Sequence, residues 1–241
     1  MNALRCALQF LTILPVGKPA RFDPAGMAPM FPLVGLIVGG LLALVDRAAL
    51  YFWSPGAAAM VDVAVLAGIT GALHLDGLSD TADGLYGNRP RDRALEIMKD
   101  SRVGAMGVVA LILGLGVKWV GIAGMTAHRP LLLLLIPALA RGGMLFGFRF
   151  LEYGRPNGGT GQAFFEKRLP WTGFWALALV AGATLAAGRR GAAVLVVFAL
   201  TILLLIGFYK RKIGCVTGDM LGAMTEILEA VLFLAASAMG R

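Results

Sequence analysis

Charge is scarce in this sequence: only 15% of its 241 residues are Asp, Glu, Lys or Arg, while 58% are hydrophobic. At a mean hydropathy of +0.78, the chain has too little polar surface to coat a soluble globule. Stretches near the roughly 20 apolar residues that cross a bilayer core recur along it. They lie at about 31–53, 56–75, 104–125, 131–150, 171–187, 191–209 and 220–239. The sequence therefore predicts an all-α fold, a polytopic membrane helix bundle with about seven transmembrane helices.

Cysteine is nearly absent, which argues against a disulfide framework and a cysteine-rich metal site. Cys6 and Cys215 are interpreted as packing residues. The N-terminal segment 1–20 is apolar only as far as Pro15, so we predict an interfacial or re-entrant helix there. It lacks the small-residue cleavage site of a signal peptide, and we expect it to be retained.

The chain also lacks long Pro- or Ser-rich linkers and internal repeats, so residues 1–241 are predicted to form a single integral membrane domain. Glycine, in contrast, is plentiful, with 33 copies. Gly35/Gly39 and Gly143/Gly147 have the small-xxx-small spacing that lets helices approach closely. This spacing is compatible with a homo-oligomer.

Acidic residues are outnumbered by basic ones, 14 against 22, giving a net charge of +8. With the N-terminus in the cytosol, 14 basic residues fall in cytosolic segments, four on the opposite side and four within spans. This asymmetry predicts a cytosolic N-terminus. Topology and attraction to the lipid bilayer then explain the charge, and no nucleic-acid partner is predicted.

Carboxylates concentrate in the string HLDGLSDTADGLYG, which begins at His74. Asp76, Asp80 and Asp83 have i, i+4, i+7 spacing, so on a helix all three project from one face. Three like charges within two turns repel one another, and a bound hard cation commonly relieves this. We predict a Mg²⁺-type site, and the alternative is a solvated helix end paired with arginines of the 89–93 segment.

Glycines and basic residues around this string extend the candidate site. Gly77 and Gly84 each follow an aspartate, and their lack of a side chain would let a phosphate approach closely. Lys99 and Arg102 flank Asp100 just before a span. They suit phosphate oxygens, although ordinary positive-inside flanking explains them equally well.

Charged residues are also predicted inside spans, where their cost points to function. Asp219 and Glu226 share a helix face that would look across at the aspartates, so both are candidate metal ligands. The alternative for Glu226 or Glu229 is an ion pair with Arg141, itself a candidate substrate-binding residue. These features together predict phosphoryl or phosphodiester transfer by a membrane enzyme.

Several motifs resemble the cobalamin synthase family, adenosylcobinamide-GDP ribazoletransferase. They are the aspartate string, LEIMKDSRVGAMG, the N-terminal FLTILP, FPLVGLIVGG at 31–40 and the late TGDMLGAMTE. The resemblance implies that α-ribazole or its 5′-phosphate displaces GMP from adenosylcobinamide-GDP, giving adenosylcobalamin or its phosphate. It also implies Mg²⁺ dependence and a bacterial inner-membrane location, with the N-terminus and active site cytosolic.

The implied reaction needs a base for the attacking ribose hydroxyl, and Asp83, Asp100 and His74 are the candidates. On a continuous helix His74 faces away from the aspartates, so it qualifies only if the helix breaks there. Two alternatives stay open. CDP-alcohol phosphotransferases use a D-x₂-D-G spacing instead of D-x₃-D-x₂-D, and a transporter would place its site near the midplane.

Overall fold

The computed structural model describes residues 2–155 and 161–238. Within them the chain is helical, and the one isolated bridge pairs Tyr153 with Val216. The helices are α1 (Asn2–Leu11), α2 (Pro24–Met27), α3 (Phe31–Phe52), α4 (Pro55–Ile69), α5 (Leu73–Leu85), α6 (Arg91–Ile97), α7 (Ala105–Gly124), α8 (Arg129–Phe150), α9 (Trp175–Thr184), α10 (Gly188–Lys212) and α11 (Gly218–Ala238). This confirms the predicted all-α membrane bundle.

The number of membrane spans is smaller by length and composition than the seven predicted. Five segments of the described chain pass such a test, or six if α4 and α5 together form one span. The spans predicted at 171–187 and 191–209 fall within one apolar segment, Trp171–Lys212. The helical turn Leu185–Ala187 leads directly from α9 into α10, whose first residues include Arg189 and Arg190. α9 has only 10 residues, too few to cross a bilayer alone.

Contacts along this long segment show that it turns back. Trp171 lies against Phe150, with ring centroids 5.9 Å apart, at the end of α8. Arg190 donates to the carbonyl of Ala127, which precedes the start of α8. Tyr209 lies back at the end of the bundle that holds Trp171, where its hydroxyl donates to the carbonyl of Met220 in the first turn of α11. The predicted number of seven spans is therefore approximate. The single segment Trp171–Lys212 does run across the bundle and back.

The predicted span at 56–75 is broken. α4 and α5 meet at an angle of 89°. Gly71 and Ala72 both have φ of +57°. This left-handed conformation is unusual for a residue with a Cβ and ends α4 abruptly. The acidic string consequently forms a separate helix, α5, which packs against α7 and α11.

Both small-xxx-small pairs are used inside the chain. A side chain on Gly35 or Gly39 would collide with the backbone of α8 around residues 134–138. Gly143 and Gly147 receive leucine side chains of α11. These glycines therefore let α3 and α11 pack closely against α8, and they leave no argument for a homo-oligomer through the same positions.

α11 is the central helix of the acidic end, because it packs against α5, α7, α8 and α10. Leucine and isoleucine side chains on the outer faces of α7 and α10 remain exposed, among them Ile112, Leu113, Leu203 and Leu204. Their exposure fits contact with lipid. The N-terminal helix α1, predicted to be interfacial, packs on α3 and buries Leu8 and Leu11.

Candidate functional site

The aspartates of α5 meet the beginning of α11 at one end of the bundle. The two helices touch at Gly77, where a Cβ atom would lie 2.6 Å from the carbonyl oxygen of Asp219. The charge of Asp80 interacts with those of Asp76, Asp219 and Asp83. The structure thus brings the late carboxylate, distant in sequence, to the predicted aspartate cluster.

The four carboxylates differ in their partners. Asp76 is exposed and Asp80 half-buried, and neither hydrogen-bonds nor forms an ion pair within the described chain. Asp83 accepts N–H groups of Gly104 at 2.7 Å and Gly107 at 2.9 Å, so both of its oxygens hold the start of α7. Asp76 and Asp80 are therefore the carboxylates left open to a ligand.

Asp219 is held by two neighbours. It forms an ion pair with Arg155, and it accepts the Thr217 hydroxyl at 3.2 Å. The same Thr217 oxygen accepts the N–H of Met220 at 3.3 Å, so Thr217 is the residue that caps α11. The carboxylate of Asp219 is thus paired with Arg155, while the hydroxyl of Thr217 caps the helix.

As a metal site, the cluster is incomplete by itself. Across residues 2–155 and 161–238, no three His, Cys, Asp or Glu side chains are grouped to hold an ion. Mg²⁺ commonly takes only one or two carboxylates and completes its shell with water and substrate phosphates. Two open aspartates fit that mode, whereas the described residues do not form an all-protein cage.

A cavity of about 200 Å³ adjoins this cluster, and Asp76, Asp219 and Arg155 form its polar wall. His74 also lines it, is only 2% exposed, and has both ring nitrogens without a hydrogen-bond partner in the described chain. The helix breaks at Gly71 and Ala72, just before His74. His74 was a candidate base only if such a break occurred. The structure places His74 in the same cavity as the carboxylates.

Tyr153 and Arg155 are functional candidates that sequence reasoning missed. The Tyr153–Val216 bridge ties their loop to the turn before α11, through the Gly154 N–H donating to Val216 at 2.9 Å. This carries Arg155 to Asp219 and leaves its Nε buried without a partner. Burial raises the pKa of the Tyr153 phenol, which therefore stays protonated as a donor. The basic loop was visible in the sequence, but its docking was not.

The basic cluster before α7 lies outside this cavity. Lys99 and Arg102 are exposed, and Arg102 bonds to Asp100 at 2.5 Å. These hydrogen bonds lower the pKa of Asp100 to about 2, which makes it a weak proton acceptor. The segment stays near the site because Arg155 also donates to the carbonyl of Met98 at 3.2 Å.

Two predicted site residues belong to a different, buried cluster. Lys118 donates to Glu226 and to Glu229, each at 2.6 Å, and Arg141 donates to Glu229 at 2.7 Å. The alternative pair of Arg141 with Glu229 is thus confirmed. Glu226 and Arg141 are engaged with these partners inside the bundle and do not join the cavity wall. The lysine was detectable as a charge within a predicted span.

Gly77 and Gly84 contact protein where the sequence suggested a ligand. Gly77 adjoins the backbone of Asp219, as described above. A Cβ atom on Gly84 would lie 2.5 Å from a side-chain carbon of Met98 and 2.9 Å from the carbonyl oxygen of Ala94. Both glycines bring chain segments together around the site.

Comparison with known proteins covers nearly the whole chain. The family model for cobalamin-5-phosphate synthase matches residues 3–237. A protein of Bradyrhizobium diazoefficiens named adenosylcobinamide-GDP ribazoletransferase is 41% identical over 250 aligned positions, covering 99% of this chain and 95% of the relative. Proteins of the same name from Roseiflexus sp. and Pseudomonas paraeruginosa are 40% and 39% identical, covering 93% and 98% of this chain and 85% and 97% of themselves. No solved structure matches. On this coverage, the chain belongs to the cobalamin-5-phosphate synthase family and is a transferase.

Proposed function

We propose that this protein joins α-ribazole, or its 5′-phosphate, to adenosylcobinamide-GDP and releases GMP, in a Mg²⁺-dependent reaction. The observation that carries the proposal is the cavity in which the open carboxylate of Asp76 lies beside the Asp219–Arg155 pair, with Asp80 one helical turn further along α5. The substrates are those in the names of the relatives. Family membership favours this reaction over the CDP-alcohol phosphotransferase and transporter alternatives.

The reaction exchanges one bond to phosphorus for another. A ribose hydroxyl oxygen attacks the cobinamide-side phosphorus, and the bond to the bridging oxygen breaks with its electron pair leaving on GMP. Asp76 and Asp80 would hold Mg²⁺, which supplies positive charge for the diphosphate and the departing GMP. The guanidinium of Arg155, which lines the cavity, would bind a phosphate oxygen.

The hydroxyl proton needs an acceptor within the cavity. His74 has both ring nitrogens unpartnered there, whereas both oxygens of Asp83 hold α7. Asp100 does not line this cavity, and its carboxylate is bonded to Arg102. On position and free ring nitrogens we therefore propose His74 as the acceptor, with Asp83 and Asp100 as the alternatives.

The membrane and the orientation are also part of the proposal. The excess of basic residues in the segments around α5 and α6 supports a cytosolic position for the acidic end. We infer a multi-pass protein of the bacterial inner membrane, with water-soluble substrates reaching the cavity from the cytosol.

A turnover assay in lipid nanodiscs tests the function. Purified protein is supplied with adenosylcobinamide-GDP, α-ribazole and Mg²⁺, and GMP is quantified. We expect GMP release to need both substrates and to stop when EDTA removes the metal. GMP release without an acceptor would indicate hydrolysis instead, and no release with either acceptor would refute the proposal.

A further inference from the structure

A second, larger pocket lies beside the catalytic cavity. It has a volume of about 550 Å³, within the roughly 300–1,000 Å³ of typical small-ligand sites. Its walls are formed by the end of α8 and by described residues of the segments 151–155 and 162–168. Three arginines and two glutamates give it a net positive lining, and they are Arg149, Arg155, Arg168, Glu152 and Glu166. We call it the arginine pocket.

Two of these arginines have N–H groups to offer. Arg149 lies over the Trp171 ring, with 5.1 Å from its central carbon to the ring centroid, and its Nε is buried without a hydrogen-bond partner. Stacking engages only the face of a guanidinium, and the terminal nitrogens of Arg149 make no hydrogen bond within the described chain, so they stay available. Arg168 uses its Nε to donate to the Arg149 carbonyl at 3.0 Å. Its terminal nitrogens make no hydrogen bond within the described chain.

Aromatic rings line the same pocket. Phe165 lies 5.3 Å from Tyr153 and 5.4 Å from Phe148, measured between ring centroids. Aromatic faces of this kind stack with heteroaromatic bases, and stacking does not depend on the hydrogen-bonding groups at the edge of the base. Arginine donors and aromatic faces together are the two features that recognise a nucleotide.

The arginine pocket adjoins the catalytic cavity, and the two share lining residues. Phe148, Tyr153 and Arg155 line both. A ligand that places a phosphate beside Arg155 and Asp219 would therefore extend its nucleoside into the pocket. We infer that the arginine pocket binds the base and phosphate of a nucleoside 5′-phosphate.

This inference rests on the proposed function, because that reaction has two such groups. One is the guanosine phosphate of the donor, and the other is the benzimidazole nucleoside phosphate of the acceptor. They share the chemistry of an aromatic base on a ribose phosphate, and direct binding distinguishes them.

The experiment measures equilibrium binding of GMP and, separately, of α-ribazole 5′-phosphate to the protein in nanodiscs. Arg149→Gln and Arg168→Gln should each raise the Kd of one of the two ligands by roughly tenfold or more, as expected for loss of a charged hydrogen bond. Glu166→Gln, which removes a negative charge from the same pocket, should lower the Kd of that ligand. The matched control is Arg47→Gln, an exposed arginine at the far end of α3, and it should bind like wild type.

The ligand that responds identifies the occupant, and the KM of the corresponding substrate should rise in parallel. Wild-type-like binding of both ligands by Arg168→Gln, whose side chain is exposed, would overturn the inference. Absence of binding of either ligand to the wild type would do the same. Arginine-dependent binding in a protein without turnover would instead refute the proposed reaction while supporting the pocket.

Discussion

At the scale of single residues, partners separate the carboxylates of the site. Asp83 and Asp219 are each held in place, one by the start of α7 and the other by Arg155. Asp76 and Asp80 have no such partner, so each is free to serve a cation. Mutation of open and held carboxylates should therefore have different consequences.

Asp80→Asn should lower turnover by roughly a hundred- to a thousandfold, or strongly raise the Mg²⁺ concentration needed, because a group acting on transition-state charge is lost. The measurement is the rate of GMP release across a Mg²⁺ titration. Asp92→Asn is the matched control, since Asp92 is an exposed acid on α6. Wild-type turnover of Asp80→Asn at limiting Mg²⁺ would remove this residue from the site.

Asp219→Ala and Thr217→Ala should separate catalysis from helix capping. Asp219→Ala is expected to reduce the rate per folded molecule by several orders of magnitude, corresponding to about 3–4 kcal/mol. Thr217→Ala should lower stability by about 0.5–2 kcal/mol, because Thr217 provides the cap of α11. Rates and thermal unfolding measured on both variants decide this. A normal rate and a lowered melting temperature for Asp219→Ala would assign it a structural role.

At the scale of elements, the position of α11 against α5 and α7 creates both the site and its foundation. The close approach at Gly77 brings Asp219 to the aspartates. Deeper in the bundle, Lys118 joins α7 to two glutamates of α11. The contact at Gly77 fixes the distance between Asp219 and the aspartates of α5, while the Lys118 ion pairs contribute to the stability of the bundle.

Gly77→Ala should reduce turnover more than it reduces stability. Its new Cβ would lie 2.6 Å from the Asp219 carbonyl oxygen, so α11 must move away from α5. A displacement of about 1 Å at a reacting centre can cost roughly a hundredfold in rate. Gly116→Ala is the control, because no atom lies within 4 Å of the Cβ position there. Equal activity of the two variants would show that the contact is not needed.

Lys118→Met should destabilise the protein by about 3–5 kcal/mol, since it leaves a buried carboxylate without its partner. The side chains of Lys118 and Glu226 are only 3% and 5% exposed. Adding Glu226→Gln should recover part of the loss, because Glu229 keeps its bond to Arg141. Thermal unfolding in detergent measures both, with the exposed Lys210→Met as control. An additive double variant would mean that the pair is not coupled.

At the scale of the whole molecule, the two termini are expected on opposite sides of the membrane. α11 runs parallel to α7, since Gly121 packs at Phe233 and Gly124 at Ser237. Its last turns therefore lie at the end opposite the aspartates.

Reporters fused at the N-terminus and within residues 84–98 should accordingly be cytosolic, and a reporter at the C-terminus should lie outside. Accessibility to impermeant thiol reagents, at cysteines introduced at the same places, provides an independent measurement. Finding both termini on one side would contradict this topology, whatever the number of spans.

The sequence by itself determined that the chain is a helical membrane protein with a carboxylate cluster on one helix face. Those conclusions depend on composition, run length and local spacing, which need no knowledge of distant contacts. The break before His74 was anticipated only as a condition, because two left-handed residues in succession leave a weak local signal.

Only the tertiary structure decided which charged residues remain open at the site. The deciding pairs are Asp83 with Gly104, Arg155 with Asp219, and Lys118 with Glu226, separated by 21, 64 and 108 residues. Whether a carboxylate binds a cation, an arginine or a helix end depends on which neighbour packing supplies, and the energy of each choice arises from burial. The sequence therefore determined which charged groups are present, and the packing of α5, α7 and α11 determined the partner of each.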